Sequence, residues 1–110
     1  MLEVSEEDAN AAVEHAKLSE KHGLSIEQCG QAIKNRGQTE EGQLIKEYGI
    51  AVQEHAQAAK EHAEAMVESR SRADLILEAQ EHGLAVQAHV KAVKQYLRYQ
   101  GRLIEDWKTR

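Results

Sequence analysis

The chain contains no proline, no phenylalanine and a single cysteine, and only 4% of its residues are aromatic. Without proline the strongest helix breaker is missing, and the abundant Ala, Glu, Gln and Lys are good helix formers. A lone Cys29 cannot form an internal disulfide, so it does not indicate a redox compartment. No apolar run approaches a membrane span or a signal peptide, so no membrane partner is expected, and an exported form would already have lost its signal. At this length we expect one all-α domain, residues 1–110.

The charge pattern and the missing motifs exclude several functions. The formal net charge is −5, with acidic residues gathered near the start and basic residues near the end. Mixed charge of this density does not predict a nucleic-acid partner. The chain has no Glu-x-x-His pair for a carboxylate-bridged di-iron centre, no phosphate-binding loop, no Cys-x-x-Cys and no nucleophile elbow. We therefore expect a binding or structural protein and not an enzyme.

The six histidines form three pairs, and the two members of each pair are seven residues apart. The pairs are His15/His22, His55/His62 and His82/His89. Seven residues are about two turns of an α-helix, so each pair shares one stripe of one helix. We call the heptad positions that the histidines occupy the histidine phase. Positions four residues later in each heptad are mostly apolar, and they include Ile26, Ile33, Ile45, Val52, Ala59, Met66, Val86 and Val93. Spacings that alternate between four and three indicate a bundle seam, with the histidines at one of its two core positions.

Capping residues predict where the helices begin and end. Ser5 is a candidate N-cap for the first helix, Thr39 opens a second, and Ser69 or Ser71 ends that helix and starts a third. The result is an antiparallel up-down bundle of three long helices, roughly 6–36, 40–69 and 72–108. The alternative is a four-helix bundle in which residues 24–36 form a separate helix.

The up-down arrangement predicts which side chains share a level. At about 1.5 Å rise per residue, three layers result. They are His15/His62/His82, His22/His55/His89 and Cys29/Tyr48/Tyr96. Two histidines of one helix lie about 10 Å apart along the axis, too far to share an ion bound at about 2.0–2.1 Å. Any metal site must therefore lie between helices.

Glycines follow the histidine phase directly. Gly23, Gly30, Gly49 and Gly83 each come after a His, Cys or Tyr of that phase. Each glycine inside a helix costs about 0.5–1 kcal/mol relative to alanine. The compensation is either close helix approach or room for the preceding ring, and the sequence leaves both open.

Three repeated phrases carry a family resemblance. AVEHAKLSEKHG at 12–23, EHAQAAKEHAEA at 54–65 and EHGLAVQAHVKAV at 81–93 resemble the small metal-binding protein (SmbP) family. Those are His-rich helical proteins, periplasmic in ammonia-oxidising bacteria, that bind copper and other divalent ions. The resemblance implies metal binding, a four-helix bundle and a periplasmic location, although Cys29 and Arg36 stand where the repeat places histidines.

The leading hypothesis is sequestration or buffering of a divalent transition metal. Neutral imidazole is a ligand for copper, nickel and zinc. The predicted ligands are His15, His22, His55, His62, His82 and His89. The alternative is a structural or protein-interaction bundle with core histidines and no metal role. Noncovalent haem held by two histidines has less support, and a homo-oligomer remains open.

Overall fold

The computed structural model describes residues 4–109, without the side chains of Leu103, Ile104, Asp106, Trp107 and Thr109. The described chain folds into three helices. They are α1 (Glu6–Asn35), α2 (Thr39–Ser69) and α3 (Arg72–Thr109). The three-helix all-α bundle is thus confirmed, with boundaries within one residue of those predicted. Because α1 continues through Gly23, residues 24–36 do not form a separate helix. Residues 1–3 and 110 of the predicted domain lie outside the described part.

Local chemistry explains where the helices begin and end. The Ser5 hydroxyl accepts a hydrogen bond from the Asp8 backbone N–H at 3.1 Å, as its place before α1 predicts. Gly37, with φ 95°, follows α1 in a left-handed conformation that glycine adopts readily. Arg70 takes the same role after α2 with φ 55°. Its guanidinium donates a hydrogen bond to the Val4 carbonyl at 3.2 Å, which ties the start of the chain to the α2–α3 turn.

Small residues at heptad spacing hold α1 against α2. They are Ala9, Ala16, Gly23 and Gly30 in α1, and Gly42, Gly49, Ala56 and Ala63 in α2, all of them buried. The glycines meet in pairs, since a Cβ added to Gly30 would lie 2.6 Å from the Gly42 carbonyl oxygen. A Cβ added to Gly23 would lie 2.9 Å from the carbonyl oxygen of Gly49. The two backbones are therefore in direct contact, and close helix approach is the reason for these four glycines.

This small-residue seam corrects the predicted position of the histidines. None of the six, all within the described residues, is buried: His15 and His22 are exposed and the other four are half-buried. The seam follows the histidine phase by one residue. One residue turns a helix by about 100°, so the histidines lie on the flank of the α1–α2 interface and not inside it.

The larger core side chains fit the prediction in α1 and α2 but not in α3. Ile33, Ile45 and Met66 are each at most 2% exposed, as expected. Val86 and Val93, predicted in the same seam, are 47% and 44% exposed, so that part of the prediction is wrong. Among the side chains of α3 that the structure describes, those buried instead are Ala85, Ala88, Ala92 and Tyr99. The reason is that α3 packs mainly on α2 and only slightly on α1, which leaves one flank of α3 uncovered.

The bundle is a rod of 65 × 20 × 17 Å. Among its described residues no helix combines the length and the apolar character that crossing a bilayer requires.

Candidate metal site in the α1–α3 groove

The weak contact between α1 and α3 leaves an open groove between two helices that run in the same direction, here called the α1–α3 groove. The histidine phase of α1 faces the histidine phase of α3 across it. His15 and His82 line one cavity, the rings of His22 and His89 approach each other, and Cys29 and Tyr96 line a second cavity. The offset along the chain is the same in all three cases, as expected for parallel helices in register. Two members of each predicted layer thus lie across the groove from one another.

His22 and His89 form the closest of these pairs. Their ring centroids are 6.0 Å apart and their planes are tilted by 56°. With metal–nitrogen bonds of about 2.0–2.1 Å, two imidazoles on one ion place their centroids roughly 5–6 Å apart. The pair therefore stands close to the separation that a shared ion requires, and small side-chain rotations suffice to reach it.

His15 and His82 lie one heptad nearer the start of each helix. With Asp8 and Glu78 they line a cavity of about 280 Å³, floored by the small side chains of α1. Imidazole nitrogen and carboxylate oxygen are both ligands that zinc accepts. This end of the groove thus offers two nitrogen and two carboxylate donors around an open space, although they are not gathered at one point.

The third level of the groove is apolar. Cys29 and Tyr96 line a cavity of about 250 Å³ together with His22, and Ile26 and Val93 form part of its wall. The thiol of Cys29 is half-buried there. A thiolate is a soft ligand in principle, but its surroundings are those of a small core residue.

The histidines of α2 lie elsewhere. His55 Nδ1 lies 2.8 Å from a carboxylate oxygen of Glu81, in a contact between α2 and α3. Glu81, which lies directly before His82 in α3, is half-buried in this contact. A carboxylate on one imidazole nitrogen orients the ring and leaves the other nitrogen free. The sequence shows that Glu81 precedes His82, but it does not show that Glu81 contacts His55 of α2.

The predicted tri-histidine layers are not assembled as three-ligand sites. Within residues 4–109 as described, no three His, Cys, Asp or Glu side chains are grouped so that they could hold one metal ion. The rotation of α2 explains why. Since Ala56 and Ala63 face α1, His55 and His62 just before them are turned about 100° away from it. A role in metal binding for any of the six histidines stays a prediction.

In comparisons with models of protein families, with curated proteins and with solved structures, nothing matches this chain. The resemblance to the small metal-binding protein family therefore depends on the repeated His-containing phrases alone. It stays a hypothesis.

Proposed function

We propose that this protein binds a divalent transition-metal ion, copper, nickel or zinc, through histidines of α1 and α3, and serves to sequester or buffer that ion. The observation that supports the proposal is the His22/His89 pair, with ring centroids 6.0 Å apart on two different helices. Imidazole is a ligand for all three ions. Six histidines at one heptad phase, of which four line one groove, are hard to explain by packing, because none of them is buried.

The exposure of the groove favours buffering over catalysis. His22 is exposed and His89 is half-buried, so an ion held between them keeps open positions for water and exchanges with solvent. A catalytic metal centre usually has three protein ligands and a shaped, dry cavity. His15 and His82, with the carboxylates of Asp8 and Glu78, provide a second candidate site in the same groove. His55 and His62 stay predicted ligands outside the groove.

The test is calorimetric titration with Zn(II), Cu(II) and Ni(II) near neutral pH, with melting temperature measured in parallel. We expect saturable uptake of at least one ion and a higher melting temperature, since a ligand that binds only the folded state stabilises it. The double variant His22→Ala/His89→Ala should lose the tightest phase. His55→Ala is the matched control, because its ring is engaged by Glu81 and lies outside the groove.

An unchanged melting temperature with all three ions would argue for the structural alternative. Equal loss of binding in His55→Ala and in the double variant would instead show that the His22/His89 pair is not the specific binding site. A haem titration distinguishes the remaining alternative, since bis-histidine ligation shifts the Soret band. We expect no such shift, because the apolar cavity beside His22, about 250 Å³, is smaller than a typical ligand pocket of about 300–1,000 Å³.

A further inference from the structure

The uncovered flank of α3 carries an apolar stripe at coiled-coil spacing. Its positions are Ile76, Ala79, Gly83, Val86, Val90, Val93 and Leu97, separated alternately by three and four residues. The five large side chains of this apolar stripe are between 43% and 58% exposed. Spacing of this kind matches the surface of another helix, because knobs at these positions fit the holes of a helical partner. Continuous apolar patches on soluble proteins mark interaction sites.

The chain exposes more surface than a compact protein of its mass. The accessible surface is 7329 Å², whereas a monomeric protein of 12.3 kDa is expected to expose about 6,100 Å². The elongated shape accounts for part of the excess of about 1,200 Å². A standard interface removes about 800 Å² from each partner. A rod 65 Å long with 7329 Å² of accessible surface has room for an interface of that size along α3.

The apolar stripe is complementary to its own inverted copy. Inversion about residue 88 pairs six of the seven positions with one another, Ala79 with Leu97, Gly83 with Val93 and Val86 with Val90, and places Ile76 at the end opposite Gln100. Small residues then face large ones in two of the three layers, which is how side chains of facing helices interdigitate. A parallel pairing would instead place Gly83 against Gly83 and leave a gap. A Cβ added to Gly83 would meet no described atom within 4 Å. The close helix approach that explains the glycines between α1 and α2 therefore does not explain Gly83.

The flanking residues permit the same inversion. In an antiparallel pair, residues on the same flank of the apolar stripe face each other between the core layers, so Gln80 lies nearest Lys94 on one side and His82 nearest Tyr96 on the other. Gln87 and His89, nearest the axis, each meet their own copy. No pair of like formal charges is opposed, so nothing at the rim penalises the pairing.

We propose that a second copy of this chain packs antiparallel on the apolar stripe of α3, with the two-fold axis near residue 88. The interface is isologous, since both copies contribute the same residues to it. The dimer does not depend on metal binding.

One consequence does rest on the proposed function. The axis brings the two His22/His89 pairs close together, so that a dimer presents four imidazoles where one copy presents two. Zinc should then tighten the dimer, and His22→Ala, which lies on α1 outside the apolar stripe and its flanks, should abolish this effect without weakening the metal-free dimer. A metal-free dimer that zinc does not tighten would overturn the shared site and leave the dimer standing.

Sedimentation equilibrium in the presence of a chelator, from low to high micromolar concentration, tests the dimer itself. We expect the wild type to approach twice 12.3 kDa. Val90→Glu places a charge in the centre of the interface and should raise the dimer dissociation constant more than about tenfold. Leu84→Glu is the matched control, because Leu84 is 42% exposed and Val90 43%, but Leu84 lies outside the apolar stripe. Circular dichroism checks that both variants fold.

Disulfide trapping tests the direction of packing. In a Cys29→Ser background, Gln87→Cys should crosslink rapidly on oxidation, whereas Gln80→Cys, about 10 Å further from the axis, should not. A monomeric wild type, equal effects of Val90→Glu and Leu84→Glu, or equal crosslinking at both positions would overturn the proposal. A monomer that instead binds phosphatidylglycerol vesicles through Val90 would also overturn it, and would assign the apolar stripe to a lipid surface.

Discussion

Replacing Gly30 by alanine separates helix propensity from backbone contact in the α1–α2 seam. The substitution gains about 0.8–1 kcal/mol of helix propensity. Against this, the new Cβ would lie 2.6 Å from the Gly42 carbonyl oxygen, which is backbone and cannot rotate away. The helices must move apart, and overpacking of this kind costs about 1–3 kcal/mol. Since the glycine pair one heptad away is separated as well, we expect a net destabilisation of about 1–2 kcal/mol.

Gly101→Ala is the matched control. Gly101 lies in α3, and an added Cβ there meets no described atom within 4 Å. Gly101→Ala should therefore raise the free energy of unfolding by up to about 0.5–1 kcal/mol. Urea unfolding followed by far-ultraviolet circular dichroism, at a concentration where the protein is monomeric, gives both free energies. A shift of 1 kcal/mol corresponds to roughly 4–8 °C in melting temperature for a domain near this size. If Gly30→Ala stabilises the protein as much as Gly101→Ala, the backbone contact is not what holds α1 to α2.

Other residues give three more predictions. Met66 has no exposed surface, so Met66→Ala should destabilise the fold by about 2–5 kcal/mol through the cavity it leaves, as measured by urea unfolding; a loss below 1 kcal/mol would contradict that packing. Ser5→Ala removes the hydrogen bond to the Asp8 N–H and should cost about 1 kcal/mol, whereas Ser5→Asp, which keeps an acceptor, should cost little. Metal uptake should weaken below about pH 6, because a protonated imidazole cannot bind the ion; calorimetry that shows equal affinity at lower pH would exclude imidazole ligands.

The helices could be predicted from the sequence because their signals are local. The N-cap Ser5 and the missing proline act within a few residues, and the predicted bounds of α1 lie within one residue of the observed ones. The levels of the histidines followed from the rise of a helix, so the sequence could place His22 and His89 at the same level.

The rotation of each helix could not be predicted in the same way. The histidine phase and the small residues that follow it are both periodic at seven, and periodicity alone does not say which one faces the neighbouring helix. Close packing of Gly23 against Gly49 and of Gly30 against Gly42 decides this, because it brings the two backbones into direct contact. The exposure of Val86 and Val93 was missed for another reason. Apolar residues at coiled-coil spacing predict a partner helix, but they do not say whether that helix belongs to the same chain.

Nitrogen NMR of the imidazole rings during a titration with Zn(II), with each histidine assigned by substitution, tests directly whether an ion bridges His22 and His89 across the α1–α3 groove. We expect the ring nitrogens of His22 and His89 to shift together and to saturate at the same zinc concentration, with His55 changing least. Shifts confined to His55 and His62, or no imidazole shift at all, would contradict it.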